Sequence, residues 1–403
     1  NDNFESDKRF IETVAELRKD MLPKLPAKQP RIVWLDVLRL CAIFMVICIH
    51  CSDPFNVSPE ARSNPEFNMW GGIYGSFLRP CVPLFVMITG ILLLPVKMSF
   101  EDFYKKRLLR IAVPFLLWSV LYNLFPWLTG VLGLPQSTMS DVFAYAPIDA
   151  SQSFSDAIKN IALIPFQFNV YTVPMWYLYM LIGLYLYMPF FSFGVEQATV
   201  RQKKIFLMFW SFSLFLPYAY SFFSPNLLGV SAWNTFGTLY YFAGFNGYLL
   251  LGNYLVNDVQ EWKWCKTIIL SLPVFAIGYI ATYIGFKTMT ANPECSEQEM
   301  ELFFLYCSPN VALMTLAFFL VIRKVRVKSK RMILMLENIT KCGLGIYMIH
   351  YFIVGLGYAI ADALAIPVFL RIPVTAVIVF VICWVFVSAC YKFAPKYSKW
   401  IFG

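Results

Sequence analysis

Charge is scarce in this chain: 14% of its 403 residues are charged, against 59% that are hydrophobic. So few charges cannot wet the surface of a soluble protein of this length, which excludes a water-soluble fold and assigns the chain to a bilayer. Strands of alternating polarity are also missing. That excludes a transmembrane barrel and leaves helices, the other structure that satisfies every backbone polar group in lipid. The ten cysteines show no metal-ligand spacing, and no metal is expected. Seven of them (Cys41, Cys48, Cys81, Cys307, Cys342, Cys383, Cys390) fall within or at the ends of apolar runs, where a thiol acts as a small apolar filler. Cys51 and Cys295 can pair only if both face an oxidising compartment. No convincing internal repeat is visible, no soluble catalytic domain is appended, and no cleavable signal peptide is expected, because the first apolar run follows a long charged segment. Any chemistry must therefore occur inside the bundle or at its mouths.

What is present is a series of apolar runs near 20 residues, each long enough to cross about 30 Å of hydrocarbon as a helix. They predict an all-α, polytopic membrane protein of about ten transmembrane helices, near 33–51, 72–95, 111–132, 173–194, 205–222, 232–252, 267–286, 302–322, 343–360 and 372–391. Residues 1–30 read as a charged cytoplasmic lead-in and 31–403 as one membrane domain. The net charge of +9 does not indicate nucleic acid, because its distribution follows membrane topology. With the N-terminus inside, inner segments hold 27 of the 33 Lys and Arg, outer loops hold Arg62, Lys159, Lys287 and Arg371, and Arg39 and Arg79 lie within helices. The positive-inside rule then puts both termini in the cytoplasm. The longest outer loop, 133–172, contains an amphipathic piece, FSDAIKNIALIPF, suited to the membrane surface or to folding back over a site.

The first predicted helix, RIVWLDVLRLCAIFMVICIHC, carries three ionisable residues, Asp36, Arg39 and His50. Arg39 and His50 are 11 positions apart, so at about 100° per residue they differ by only about 20° and share a face, with Asp36 on it too. Their axial separation is roughly 16 Å, so the stripe crosses the membrane with His50 toward the outer leaflet. Asp36 and Arg39 at i,i+3 read equally well as a salt bridge. His50, one of two histidines, suits proton abstraction from a hydroxyl near neutral pH. In GSFLRPCVPLFVMITGILLL, Arg79 lies too deep to reach water unaided, and Pro80 and Pro83 predict irregular backbone lining a cavity; an ion pair for Arg79 stays open. The turn KMSFEDFYKKRLLR gathers Lys105, Lys106, Arg107 and Arg110, either as an anion site or as ordinary cytoplasmic charge.

The order of motifs resembles the acyltransferase 3 family: R-x10-H at Arg39 and His50, RPCVPLFVMITG from Arg79 to Gly90, R-x-x-R at Arg107 and Arg110, MWYLYMLIGLYLYMP around Trp176, YYFAGFNGYLLLG before Asn253, LYCSP from Leu305, and GLGIYMIH with Tyr347 and His350. The likeness is greatest to the branch that O-acetylates the carbohydrate of enterobacterial common antigen. It implies a bacterial inner-membrane enzyme that takes acetyl-CoA from the cytoplasm and acylates an extracytoplasmic or lipid-linked glycan. On that resemblance Arg107, Arg110 and Lys106 hold the phosphates of CoA and Arg39 steadies the donor. His50 is general base or acyl carrier, and Arg79 polarises the thioester or meets the acceptor. His350 is expected near the cytoplasmic start of its helix, as a structural or donor-side group. Many relatives have a histidine shortly before the tryptophan, where this chain has Pro174 and Met175; Thr89 and Gly90 keep the hydroxyl and the tight-packing glycine of the usual Ser-Gly. A transporter or flippase with the same helices is the alternative. Homo-oligomers are compatible with either.

Overall fold

A computed structural model describes residues 31–133 and 152–403. Trp34–Gly403 forms one compact unit. The lead-in helix expected near Phe10 to Met21 lies outside the described residues. Among the described residues there is no strand, only an isolated bridge between Ser231 and Asn234. Nine segments among the described residues are long and apolar enough to cross a membrane. The first is α1, Val33–Asn56. The second is broken into α2, Pro65–Phe77, and α3, Cys81–Leu93. The third enters through Phe100–Phe103 and a π-helical turn, Tyr104–Leu108, before α4, Leu109–Val131. There follow α5, Trp176–Gln197, and α6, Val200–Ser213, extended by Leu216–Phe222.

The sixth expected helix is the departure. Residues 232–252 were read as one span, but only Asn246–Asn257 is an α-helix, α7, twelve residues long. The run before it is no α-helix and holds only the 3-10 turn Tyr240–Phe242: Gly229 just ahead of it and Gly237 and Gly244 within it sit at φ +77°, +62° and +92°, in the left-handed region that only glycine enters freely. After α7 come α8, Trp264–Met289; α9, Pro309–Ile322, which the short turns from Glu297 precede; α10, Lys330–Ala363; α11, Val368–Phe393; and α12, Pro395–Ile401. The amphipathic piece of the outer loop is helical over Phe154–Leu163 and packs on α4, with Phe154 and Trp127 rings 4.8 Å apart.

Burial separates centre from rim. The spans of α1, α2–α3 and α10 are 56%, 67% and 61% buried, whereas those of α6 and α8 are 22% buried and offer Ile269, Leu272, Ile277 and Ile284 to lipid. With lipid as apolar as leucine, helices associate by close packing, which small residues permit. The α3–α7 contact is of this kind. A Cβ at Gly90 would lie 2.1 Å from the Leu249 carbonyl oxygen, and one at Gly252 would lie 2.4 Å from that of Met87. Gly90 thus packs tightly, as expected. Asn253 Nδ2 then donates to the Leu94 carbonyl at 2.8 Å, tying α7 to the end of α3.

Gly90→Val and Gly252→Val should each lower the thermal midpoint of the detergent-solubilised protein clearly, because backbone cannot move away from the new side chain. Gly183→Ala and Gly343→Ala, where nothing lies within 4 Å, should leave it unchanged or raise it, since alanine favours helix by up to about 1 kcal/mol. Equal behaviour of the two pairs would remove close packing as the cause.

Candidate active site

The three most buried spans supply the chemistry-bearing groups. α1 runs five residues beyond Cys51, through Pro54, and this extension brings Asp53 one turn past His50 on the same face. His50 Nδ1 lies 2.9 Å from Asp53 Oδ2, both side chains being largely buried. A carboxylate only accepts, so Nδ1 carries the hydrogen and the lone pair is left on Nε2.

His350 is not where the sequence put it. α10 begins at Lys330, thirteen residues before the expected start, because the charged stretch with Lys330, Arg331, Glu337 and Lys341 is helical as well. His350 therefore lies about 30 Å along the helix. Its ring centroid is 5.2 Å from that of His50, and Tyr351 packs edge-on to His50 at 5.3 Å. His350 is fully buried and donates from Nδ1 to the Tyr347 carbonyl at 2.6 Å; its Nε2 has no protein partner. The histidines thus meet, although the sequence had assigned them to opposite sides of the membrane.

Arg79 occupies the break between α2 and α3. Pro80 removes one backbone donor and Pro83 another, and the Arg79 Nε takes the Gly75 carbonyl at 3.0 Å, replacing a lost backbone bond. Its Nη1 lies 3.3 Å from Glu301 Oε2, and its guanidinium carbon is 3.8 Å from the centre of the Phe304 ring. Arg79 is 4% exposed, so the ion pair and the ring replace hydration. Glu301 is held by its loop, which Arg62 ties to the end of α1. Arg62 is itself buried and donates to the carbonyls of Asn56 at 3.0 Å, Pro293 at 2.9 Å and Cys295 at 3.0 Å. Cys51 and Cys295 are both free, buried thiols.

Between these groups lies a cavity of about 20 Å³, next to His50. Trp176 and Tyr306 form one wall as a stack, with centroids 5.4 Å apart and planes at 17°. Tyr347 forms another, and its hydroxyl bonds the Pro174 carbonyl. The position where relatives carry a histidine thus supplies a backbone acceptor here. Val46, Ile49 and Val82 complete the lining.

At the other end of the stripe, Asp36 is buried, accepts from Thr340 Oγ1 at 2.9 Å, and pairs with Arg39 Nη1 at 3.5 Å. The i,i+3 bridge therefore forms, although Arg39 keeps about a third of its side chain exposed. Arg107 lies in the π-helical turn, a feature that widens a helix locally and often occurs at functional sites. Arg39, Arg107 and Arg110 all lie within electrostatic reach of Tyr185. Arg110 Nη2 also donates to the Gly403 carbonyl at 3.2 Å. Lys106 is different: it is 64% exposed and pairs with Asp102 at 3.3 Å, an ordinary i,i+4 surface pair. Among the described residues no group of three or more His, Cys, Asp or Glu side chains is arranged to hold a metal.

Sequence reasoning missed Asp53, Tyr185, Glu301 and Tyr306. The H-x-x-D spacing at His50 was a usable signal once the helix was extended past Cys51. Tyr185 and Tyr306 lie within the MWYLYMLIGLYLYMP and LYCSP motifs, but neither motif alone distinguishes them among 23 tyrosines.

The Arg79–Glu301 pair should show coupling. Arg79→Ala and Glu301→Ala should each lower the thermal midpoint, and the double variant should fall short of their sum by about 0.5–3 kcal/mol. Strict additivity would mean the pair is solvated and does not hold the break.

Comparison with known proteins gives one match. The acyltransferase 3 family model, an acyltransferase domain, covers residues 32–388. No curated protein and no solved structure matches. The matched range takes in every group described above from α1 to α11, and the chain belongs to the acyltransferase 3 family of membrane acyltransferases.

Proposed function

We propose that the protein is an O-acyltransferase of the bacterial inner membrane that moves an acetyl group from cytoplasmic acetyl-CoA to a hydroxyl of an extracytoplasmic or lipid-linked carbohydrate. The likeness to the enterobacterial common antigen branch supports that acceptor class and the acetyl donor, and the distribution of Lys and Arg supports cytoplasmic termini. The observation that carries the reading is the His50–Asp53 pair beside a small cavity, at the far end of a stripe whose near end carries Arg39, with Arg107 and Arg110 in the same neighbourhood.

On this reading Arg107 and Arg110 bind phosphate oxygens of CoA, Arg39 steadies the donor, and the pantetheine arm brings the thioester to the cavity. Arg107 and Arg110 suit that work because a guanidinium binds a phosphate through two parallel donors. Lys106, solvated and paired with Asp102, contributes little beyond local charge.

Asp53 holds the His50 ring with Nε2 toward the acceptor. Nε2 takes the proton of the attacking hydroxyl as its oxygen forms the new C–O bond, the C–S bond of the thioester breaks, and the imidazolium returns the proton to the CoA thiolate. His350, whose ring lies 5.2 Å from that of His50 and whose Nε2 has no protein partner, orients the hydroxyl or stabilises the His50 N–H. Arg79, neutralised by Glu301, acts through the shape of the break and the local field rather than as a free cation. A flippase would need no proton acceptor at this point, and the absence of a convincing internal repeat gives it no support.

The decisive assay incubates the purified protein in detergent with acetyl-CoA and an acceptor-bearing membrane extract and follows release of free thiol. His50→Ala should reduce release by on the order of 10²–10⁴, Asp53→Asn should reduce it by less, and Arg107→Ala should weaken acetyl-CoA binding while Lys106→Ala does not. Parent protein that neither binds CoA nor releases thiol would leave the flippase reading standing.

A further inference from the structure

The cavity beside His50 is too small and too well braced to be incidental to the choice of donor. We infer that it is an acyl pocket whose aliphatic side, Val46 and Val82, restricts the donor to a two-carbon acyl group. The inference rests on the acyl-CoA reading above and adds the residues that set chain length.

Position is the first argument. Val46 precedes His50 by one helical turn and lies on the same face of α1, on the Arg39 side from which the thioester would arrive. Val82 stands three residues beyond Arg79, at the first turn of α3. The backbone break at Arg79 and Pro80 creates the space, and Val82 fills part of it. Both valines are buried, 5% and 4% exposed, and both line the cavity with His50.

Size is the second argument. A single water needs about 10–15 Å³ measured in the same way, and this cavity offers about 20 Å³. That accommodates the methyl of an acetyl group whose carbonyl carbon sits at the mouth against His50. Each further methylene would need a volume that is already occupied.

Rigidity is the third. The aromatic walls cannot retreat: Trp176 is stacked on Tyr306, and the Tyr248 hydroxyl donates to the Tyr306 carbonyl at 2.7 Å. Tyr347 is fixed by its bond to the Pro174 carbonyl and by the Tyr177 ring, 5.5 Å away. Close-packed interiors resist one extra methylene. The valine methyls are therefore the part of the lining whose removal would deepen the pocket with the least disturbance to the groups around His50.

The test measures equilibrium binding of free CoA, acetyl-CoA, propionyl-CoA and butyryl-CoA to the detergent-purified full chain, and to Val46→Ala, Val82→Ala and Val82→Phe. The parent should prefer acetyl-CoA to butyryl-CoA by roughly 10-fold or more, the scale on which an apolar pocket senses methylenes. Either alanine variant should narrow that ratio by raising butyryl-CoA affinity. Val82→Phe should erase the advantage of acetyl-CoA over free CoA while free CoA binds as before, which also reports that the variant is folded. A chain-length ratio that stays the same in all three variants, with CoA binding intact, would overturn the pocket and leave the acyl-CoA reading in place. A parent that binds none of the four compounds would overturn that reading, and the pocket with it.

Discussion

Hydrocarbon offers no partner to a charge or to an open backbone bond, so a charge buried in this bundle must be answered from within the protein. The architecture follows from that constraint. Asp36 is met by Thr340 and Arg39, His50 by Asp53, and Arg79 by Glu301, the Gly75 carbonyl and the Phe304 ring. Each pairing joins segments that are distant in sequence or fixes a rotamer within one helix. Together they explain why α1, the α2–α3 break and α10 occupy the centre, while α8, whose span holds no such buried charge, stays at the rim.

The break at residues 78–80 shows how a local defect becomes a site. Two prolines open the hydrogen-bond ladder in the middle of a span, a disruption that would be strongly unfavourable against lipid. Here the arginine side chain repairs one carbonyl from its own position and draws Glu301 to it. Glu301 comes with a loop anchored by Arg62 to the end of α1. The cavity lies between these pieces because the interrupted helix cannot fill its own groove. Backbone irregularity, buried charge and usable volume are thus three aspects of one arrangement.

Much of this was legible in the sequence and some was not, for identifiable reasons. The shared face of Arg39 and His50 follows from helical period, and the irregular backbone at Pro80 from proline chemistry; the break is present at residues 78–80, whereas Pro83 is accommodated in the first turn of α3. The depth of His350 was misjudged because hydropathy locates the apolar part of a helix, and α10 continues for thirteen residues on the side of Lys330 as an amphipathic extension. Asp53 was lost the other way, since the first helix persists through Pro54 after its apolar run has ended. The sixth span looked helical because Trp233, Phe236, Tyr240 and Tyr241 are apolar, yet three glycines at positive φ hold that stretch in turns. Tyr185 and Tyr306 gain meaning only from what folding brings beside them.

The histidine pair gives the candidate site its chemical character. His50 gives the hydrogen on Nδ1 to Asp53, and His350 gives its own to the Tyr347 carbonyl, so both rings are left with lone pairs on Nε2 and neither can donate from it. Two acceptors side by side in a buried volume repel an anion and have nothing to offer a carbonyl oxygen. They are complementary to a group that brings a hydrogen of its own, such as a hydroxyl. Once one ring has taken that proton the complementarity inverts, because the new N–H can donate where only acceptors stood before. On the proposed reaction the same two rings would favour a hydroxyl before transfer and a leaving sulfur after it.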